Sequence, residues 1–124
     1  MSGVTEEISE QDVLNRRVLP WLVSDDGSVS SGAFMKRKKP DPELSVELAR
    51  LATPEESLSR CPGKGMGIVQ VSASVPLDMG LRVEHNPLPD IYAHCLVKGL
   101  SKREQCKRLA EEARVAIFPP NRPA

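Results

Sequence analysis

His85 and His94 are the chain's two imidazoles. Imidazole titrates near neutrality and passes protons in either direction, which makes them the candidate catalytic residues, one as general acid and one as general base. His85 closes the β-rich run LRVEH and His94 lies inside YAHCLVKG; strand pairing of the two runs would let the rings converge. The plainer reading is two structural histidines, each satisfied by a backbone carbonyl or water. Arg16 and Arg17 form a second candidate group, because a guanidinium binds a phosphate or carboxylate through two parallel hydrogen bonds. Ser30 and Ser31, just after the Asp26-Gly27 turn, are hydroxyls for the same anion or a ribose, so the ligand-binding candidates Arg16, Arg17, Ser30 and Ser31 suit a nucleotide. Against this, serines beside glycines are ordinary turn and cap residues.

His85, His94 and Cys95, with Cys61 or Cys106 as a fourth donor, would offer nitrogen and sulfur to zinc. Their spacing matches no common zinc template, and neighbours on a strand point to opposite faces, so no metal ligand is assigned. The GKG at 63–65 precedes a predicted strand and lacks the spacing of a phosphate loop, which follows a strand and opens a helix. GxSxG, HExxH, GxGxxG and CxxC do not occur, which removes the familiar hydrolase, metalloprotease, dinucleotide and redox signatures. No cofactor is expected.

The elements that must position these residues are read from periodicity and punctuation. Apolar positions between Val13 and Val23 fit neither a period of 3.6 nor of 2, and Pro20 interrupts them; a short helix leading into an extended segment is expected. SDDGSVSSG at 24–32 is a loop or hairpin tip. MKRKKPDPE at 35–43 is a basic, extended connector whose KRKK can meet nucleic-acid phosphates, although a solvated charge run is the simpler reading. Leu44–Leu51 reads as a short strand, with helix as the alternative. TPEESLSR carries a capping box, Thr53 with Glu56 and Pro54 at the first helical position, and predicts a helix over 54–60. GIVQVSASV is a β-branched strand, and the runs at 81–85 and 92–99 are two more. SKREQCKRLAEEARV places Cys106, Leu109, Ala110 and Ala113 on one stripe and predicts a helix over 102–114, capped by Ser101 and Glu104.

The expected fold is therefore α+β: one small domain with a mixed or antiparallel sheet packed by helices, in approximate order α-β-α-β-β-β-α. Residues 1–10 are expected to be a flexible N-terminus, 11–118 the domain and 119–124 a proline-rich tail. With 124 residues, 40% hydrophobic and 27% charged, one core is affordable and roughly two-thirds of the unfolded surface can be buried. Seventeen cations balance seventeen anions, so no overall field draws the chain to nucleic acid or to an anionic membrane. The three cysteines, odd in number, fit free thiols in a reducing compartment, and no apolar stretch predicts secretion or membrane insertion. A soluble, cytoplasmic protein without a membrane partner is expected.

The runs DGSVSSGAF, LSVELARLATPEESL and VEHNPLPDIYAHCLVKG together resemble a pattern found in a family of small uncharacterised prokaryotic proteins. The resemblance spans about residues 14–114. It implies a compact domain in which Ser30, Ser31, Phe34, His85, Pro87 and His94 matter, and it transfers no mechanism. The functional expectation is an accessory or interaction domain of a bacterial system, with a protein partner. The alternative is a small histidine-dependent enzyme acting on a nucleotide or nucleic acid such as RNA.

Overall fold

Six short segments, most of them alternating apolar and polar residues, form one sheet, and the computed structural model describes residues 6–35, 43–60 and 65–120. The strands are β1 (Val13–Val18), β2 (Leu44–Leu48), β3 (Gly67–Ser72), β4 (Arg82–His85), β5 (His94–Lys98) and β6 (Arg114–Ile117). The helices are α1 (Pro54–Ser59), α2 (Ser74–Asp78) and α3 (Arg103–Glu112). Spatial order is β4-β5-β2-β1-β3-β6, and every neighbouring pair is antiparallel. The chain is thus a small α+β domain, with the antiparallel form of the expected sheet.

Register decides what each face carries. Leu14 stands between Leu48 and Val71, and Val46 and Leu44 stand opposite Cys95 and Val97, so one face is apolar. That face is covered by the α3 stripe of Cys106, Leu109 and Ala110 and by a 3-10 turn at Ser31–Phe34, whose Phe34 is 1% exposed. Burying that phenyl ring contributes about 2 kcal/mol. α2 packs on α3 and β4, while α1 lies against β1, β3 and β6. Asn15 stands opposite both Glu47 and Gln70; the other face therefore carries polar side chains beneath α1.

Several expected elements are present as read. Residues 44–48 are strand, and α1 has its capping box, with Thr53 Oγ1 accepting from the Glu56 amide at 3.1 Å and Glu56 accepting from the Thr53 amide at 2.8 Å. β4 and β5 pair through the long proline-bearing loop, which is closed by a Leu88–Ile91 bridge. Gly27, at φ +88, tips a turn bridged by Val23 and Val29.

Other expectations are corrected. Residues 13–18 form a strand and not a helix, and the helical turn, Pro20–Leu22, follows it. The run after Ser72 leaves the sheet as α2, which accommodates Pro76 because first-turn amides need no intrahelical partner. α3 is not capped by Ser101 and Glu104: the Gln105 side chain accepts from the Ser101 and Lys102 amides, both at 3.0 Å. It ends at Glu112, and Arg114 begins β6 at the sheet edge. In the segment before β1, Arg50 bonds Glu6 at 2.6 Å and the Glu7 carbonyl at 2.9 Å. Pro119 is buried. KRKK at 36–39, Cys61, Gly63, Lys64 and residues 121–124 lie outside the described residues.

Candidate functional site

The paired register of β1 and β2 covers Leu14–Leu48 and Asn15–Glu47 only. Beyond it, Arg16 enters the space between the strands. Its Nε donates to the Ala33 carbonyl at 2.9 Å and its NH1 to the Ser45 carbonyl at 2.8 Å. A guanidinium thus takes the place of a ladder rung and ties the two parted strands to the 3-10 turn. The gap is a cleft of about 380 Å3, floored by Arg16, Arg17 and Ser45 with Leu19, Leu22 and Met35 at its apolar side.

Arg17, one residue on, projects to the opposite face. Its NH1 donates to Glu47 Oε2 and to the Ser57 carbonyl, each at 3.2 Å. Glu47 is 4% exposed, and its Oε1 accepts from Arg60 NH1 at 2.5 Å and Ser57 Oγ at 2.9 Å. Asn15 completes the network: its Nδ2 donates to the Ala52 carbonyl at 2.9 Å, and its Oδ1 accepts from Gln70 Nε2 at 2.9 Å. Among the described residues no buried side-chain nitrogen or oxygen is left without a partner. A buried carboxylate is tolerable only with such compensation. Arg16, Arg17 and Arg60 face Glu43 and Glu47 here, so the cleft and its bracing keep a positive excess.

The predicted site residues divide. His94 and Ser45 share a small recess of about 30 Å3, room for about one water, with Arg16 and Arg17. His94 Nδ1 lies 2.8 Å from the Asn86 carbonyl. A carbonyl only accepts, so the proton of the neutral ring is on Nδ1, and Nε2 accepts from Ser45 Oγ at 3.3 Å. His85 does not join it. β4 and β5 pair as anticipated, but His85 stands opposite Cys95 and His94 opposite Glu47, which turns the two rings to opposite faces. His85 Nδ1 accepts from the Glu6 amide at 2.8 Å, its Nε2 meets the Tyr92 carbonyl at 2.6 Å, and its ring packs edge-on to Tyr92 at 4.8 Å. Both nitrogens are thereby occupied by main chain. An acid–base pair of His85 with His94 is excluded by this geometry, as is any metal site using both.

Ser30 caps the 3-10 turn by accepting from the Gly32 amide at 3.3 Å, and Ser31 opens that turn. Neither lines the cleft, whose wall there is Gly32, Ala33 and Met35. The structure therefore brings Arg16, Arg17 and His94 together and leaves His85, Ser30 and Ser31 outside. Ser45, Glu47, Ser57 and Arg60 are additional site residues. The signal for two of them was strict alternation in LSVEL, which puts Ser45 and Glu47 on the face away from the leucines.

The described thiols Cys95 and Cys106 and the Glu6 carboxylate are held in structural contacts. Burial pushes the Cys95 thiol up to about 12, so it does not behave as a thiolate; Cys106 is buried and its Sγ donates to the Phe34 carbonyl at 3.3 Å. The Arg50 hydrogen bond, followed by that of the Tyr92 hydroxyl, holds the Glu6 carboxyl below its ordinary range. Among the described residues no three His, Cys, Asp or Glu side chains cluster as metal ligands, and no helix is long and apolar enough to cross a membrane. No family model, curated protein or solved structure matches this chain.

Proposed function

We propose that this chain is a soluble, cytoplasmic accessory domain of a bacterial system, and that it holds a segment of a partner protein in the cleft between the parted ends of β1 and β2. The observation that carries this reading is the combination of an arginine floor with an exposed apolar rim. Leu19 is 38% exposed and Met35 41% exposed, and both line the cleft; Trp21, between the lining residues Leu19 and Leu22, is 66% exposed. Large apolar side chains left exposed at one mouth, as Leu19 and Met35 are, mark an interaction surface. Overall charge is balanced, so the positive excess at this cleft is local and selects an acidic, apolar segment over a polyanion.

A photo-crosslinking residue at position 35 tests the proposal. Mapped crosslinks to one apolar segment bearing Asp or Glu, lost when Leu19 and Trp21 are both changed to serine, would support it. Crosslinks to RNA, or none that depend on the rim, would refute it.

A second reading is favoured by the Ser45–His94 contact. A neutral imidazole accepting from a serine hydroxyl is positioned to take its proton, which would serve a small enzyme acting on a nucleotide phosphoester. Hydrolysis of bis-p-nitrophenyl phosphate or of a nucleotide panel, abolished in Ser45→Ala and His94→Ala, is its expected mark; absence of turnover dismisses it.

A further inference from the structure

We propose that Arg17 is the specificity-determining residue of this cleft, and that its Nε and NH2 edge takes the side-chain carboxylate of an Asp or Glu in the partner's segment. This rests on the docking reading above and names the group that the cleft selects.

Of the two arginines that line the cleft, Arg17 is anchored through one nitrogen and keeps its other edge open. NH1 is committed to Glu47 Oε2 and the Ser57 carbonyl. Nε and NH2 make no hydrogen bond to any described residue. The side chain is 33% exposed, and the residue borders both the cleft and the small recess beside it. Arg16, by contrast, already spends Nε and NH1 on the Ala33 and Ser45 carbonyls. Arg60 shares Glu47 from α1's C-terminal end and does not line the cleft.

Two features make the vacant edge selective. The first is preorganisation. A guanidinium pinned through one nitrogen to a buried carboxylate loses little rotamer freedom when its other edge is engaged, which is the usual entropic cost of arginine recognition. The second is charge. Glu47 is shared with Arg60, so Arg17's charge is only partly neutralised, and the excess suits a monoanion better than a phosphate dianion. The Nε and NH2 hydrogens are parallel and coplanar, which matches the two oxygens of a carboxylate.

The experiment uses the full chain and two pentapeptides of leucines with acetylated N-termini and amidated C-termini, one with a central glutamate and one with glutamine in its place. Binding is followed by the single tryptophan, Trp21, and by the Arg17 Nε resonance. The glutamate peptide is expected to bind about tenfold more tightly, worth about 1.4 kcal/mol, and to shift the Arg17 Nε signal. Arg17→Lys, which keeps the charge and loses the fork, is expected to bind both peptides alike. Equal affinity of the two peptides for the native chain would overturn the carboxylate assignment and leave the docking reading standing. Binding of neither peptide would overturn both, and tighter binding of adenosine monophosphate than of the glutamate peptide would overturn the monoanion preference.

Discussion

Glu47→Gln is the perturbation that probes the site most directly, because it keeps the size of the side chain and removes the charge on which two arginines converge. Glu47 accepts from Arg60 NH1 at 2.5 Å, Ser57 Oγ at 2.9 Å and Arg17 NH1 at 3.2 Å. A glutamine can still accept from Ser57, but its amide NH2 must then face a guanidinium, donor against donor. Removing one partner of a fully buried ion pair costs about 3–5 kcal/mol. That is an upper bound here, since the Arg17 and Arg60 side chains are 33% and 27% exposed and recover water when released. About 2 kcal/mol is expected. With a urea m-value of about 2 kcal/mol/M for a domain of this size, the midpoint should fall by about 1 M. Glu43→Gln, at the cleft's edge with a 3.4 Å contact to the Gly99 amide, is the control and should move the midpoint by less than about a quarter of that. A Glu47→Gln midpoint within that same narrow range would show that the network carries no net stability. The same variant unpins Arg17, so it should also lose discrimination between the glutamate and glutamine peptides.

Gly67→Ala should destabilise the domain by about 2 kcal/mol, because a Cβ there would overlap the Ile117 carbonyl oxygen and the Pro119 ring; an unchanged thermal midpoint would show that β6 yields freely. Cys95 and Cys106 should resist iodoacetamide at pH 8 in the native state and react on adding denaturant, since burial holds the Cys95 thiol at about 12; rapid native labelling of either, read by peptide mass, would contradict the packing. The Glu6 carboxyl is lowered from 4.5 by Arg50 and then Tyr92. A group whose folded value lies below its unfolded one stabilises above the unfolded value and loses that contribution as pH falls through the folded one. The 6–12 arm should therefore stay docked above about pH 4.5 and loosen below it, seen as lost exchange protection of the Arg50 guanidinium protons that bond the Glu6 carboxylate, and Glu6→Gln should remove that carboxylate-dependent step. His85→Ala should weaken the same arm without changing peptide affinity at the cleft, and an affinity loss there would reinstate His85 in the site.

Which elements were legible follows from how cleanly each strand separates its two faces. β3 and β2 alternate, α1 announces itself by Thr53, Pro54 and Glu56, and the α3 stripe recurs at helical spacing, so all four elements are present, β3 and α3 ending sooner than the pattern put them. β1 was hidden because it breaks its own alternation. Arg16 occupies the register of Leu14 and Val18 on the core side, and Asn15, on the polar side, is 2% exposed. α2 was hidden by Ser-Ala-Ser-Val, which prolongs the β-like composition of β3, and β6 by its four-residue length directly after a helix. The arginines of the site were found by residue type alone. Their partners were not, because Ser57 and Arg60 reach Glu47 only through the tertiary placement of α1, which no spacing along the chain encodes.

The polar network under α1 bears on function more than on stability. Apolar side chains of equal volume at Asn15, Glu47, Ser57 and Gln70 would pack β1, β2 and β3 against α1 with no desolvation cost, and such replacements of buried ion networks are often neutral or favourable. What they would not do is hold a guanidinium still. Arg17 sits where β1 has left β2, at a place where an unbraced arginine would swing into solvent. Glu47 and the Ser57 carbonyl fix one side of its fork and leave the other vacant. Arg60 then prevents Glu47 from neutralising it fully. A network that apolar side chains could replace, and whose geometric product is one oriented cation at the edge of a cleft with an apolar side, fits the proposed positioning role.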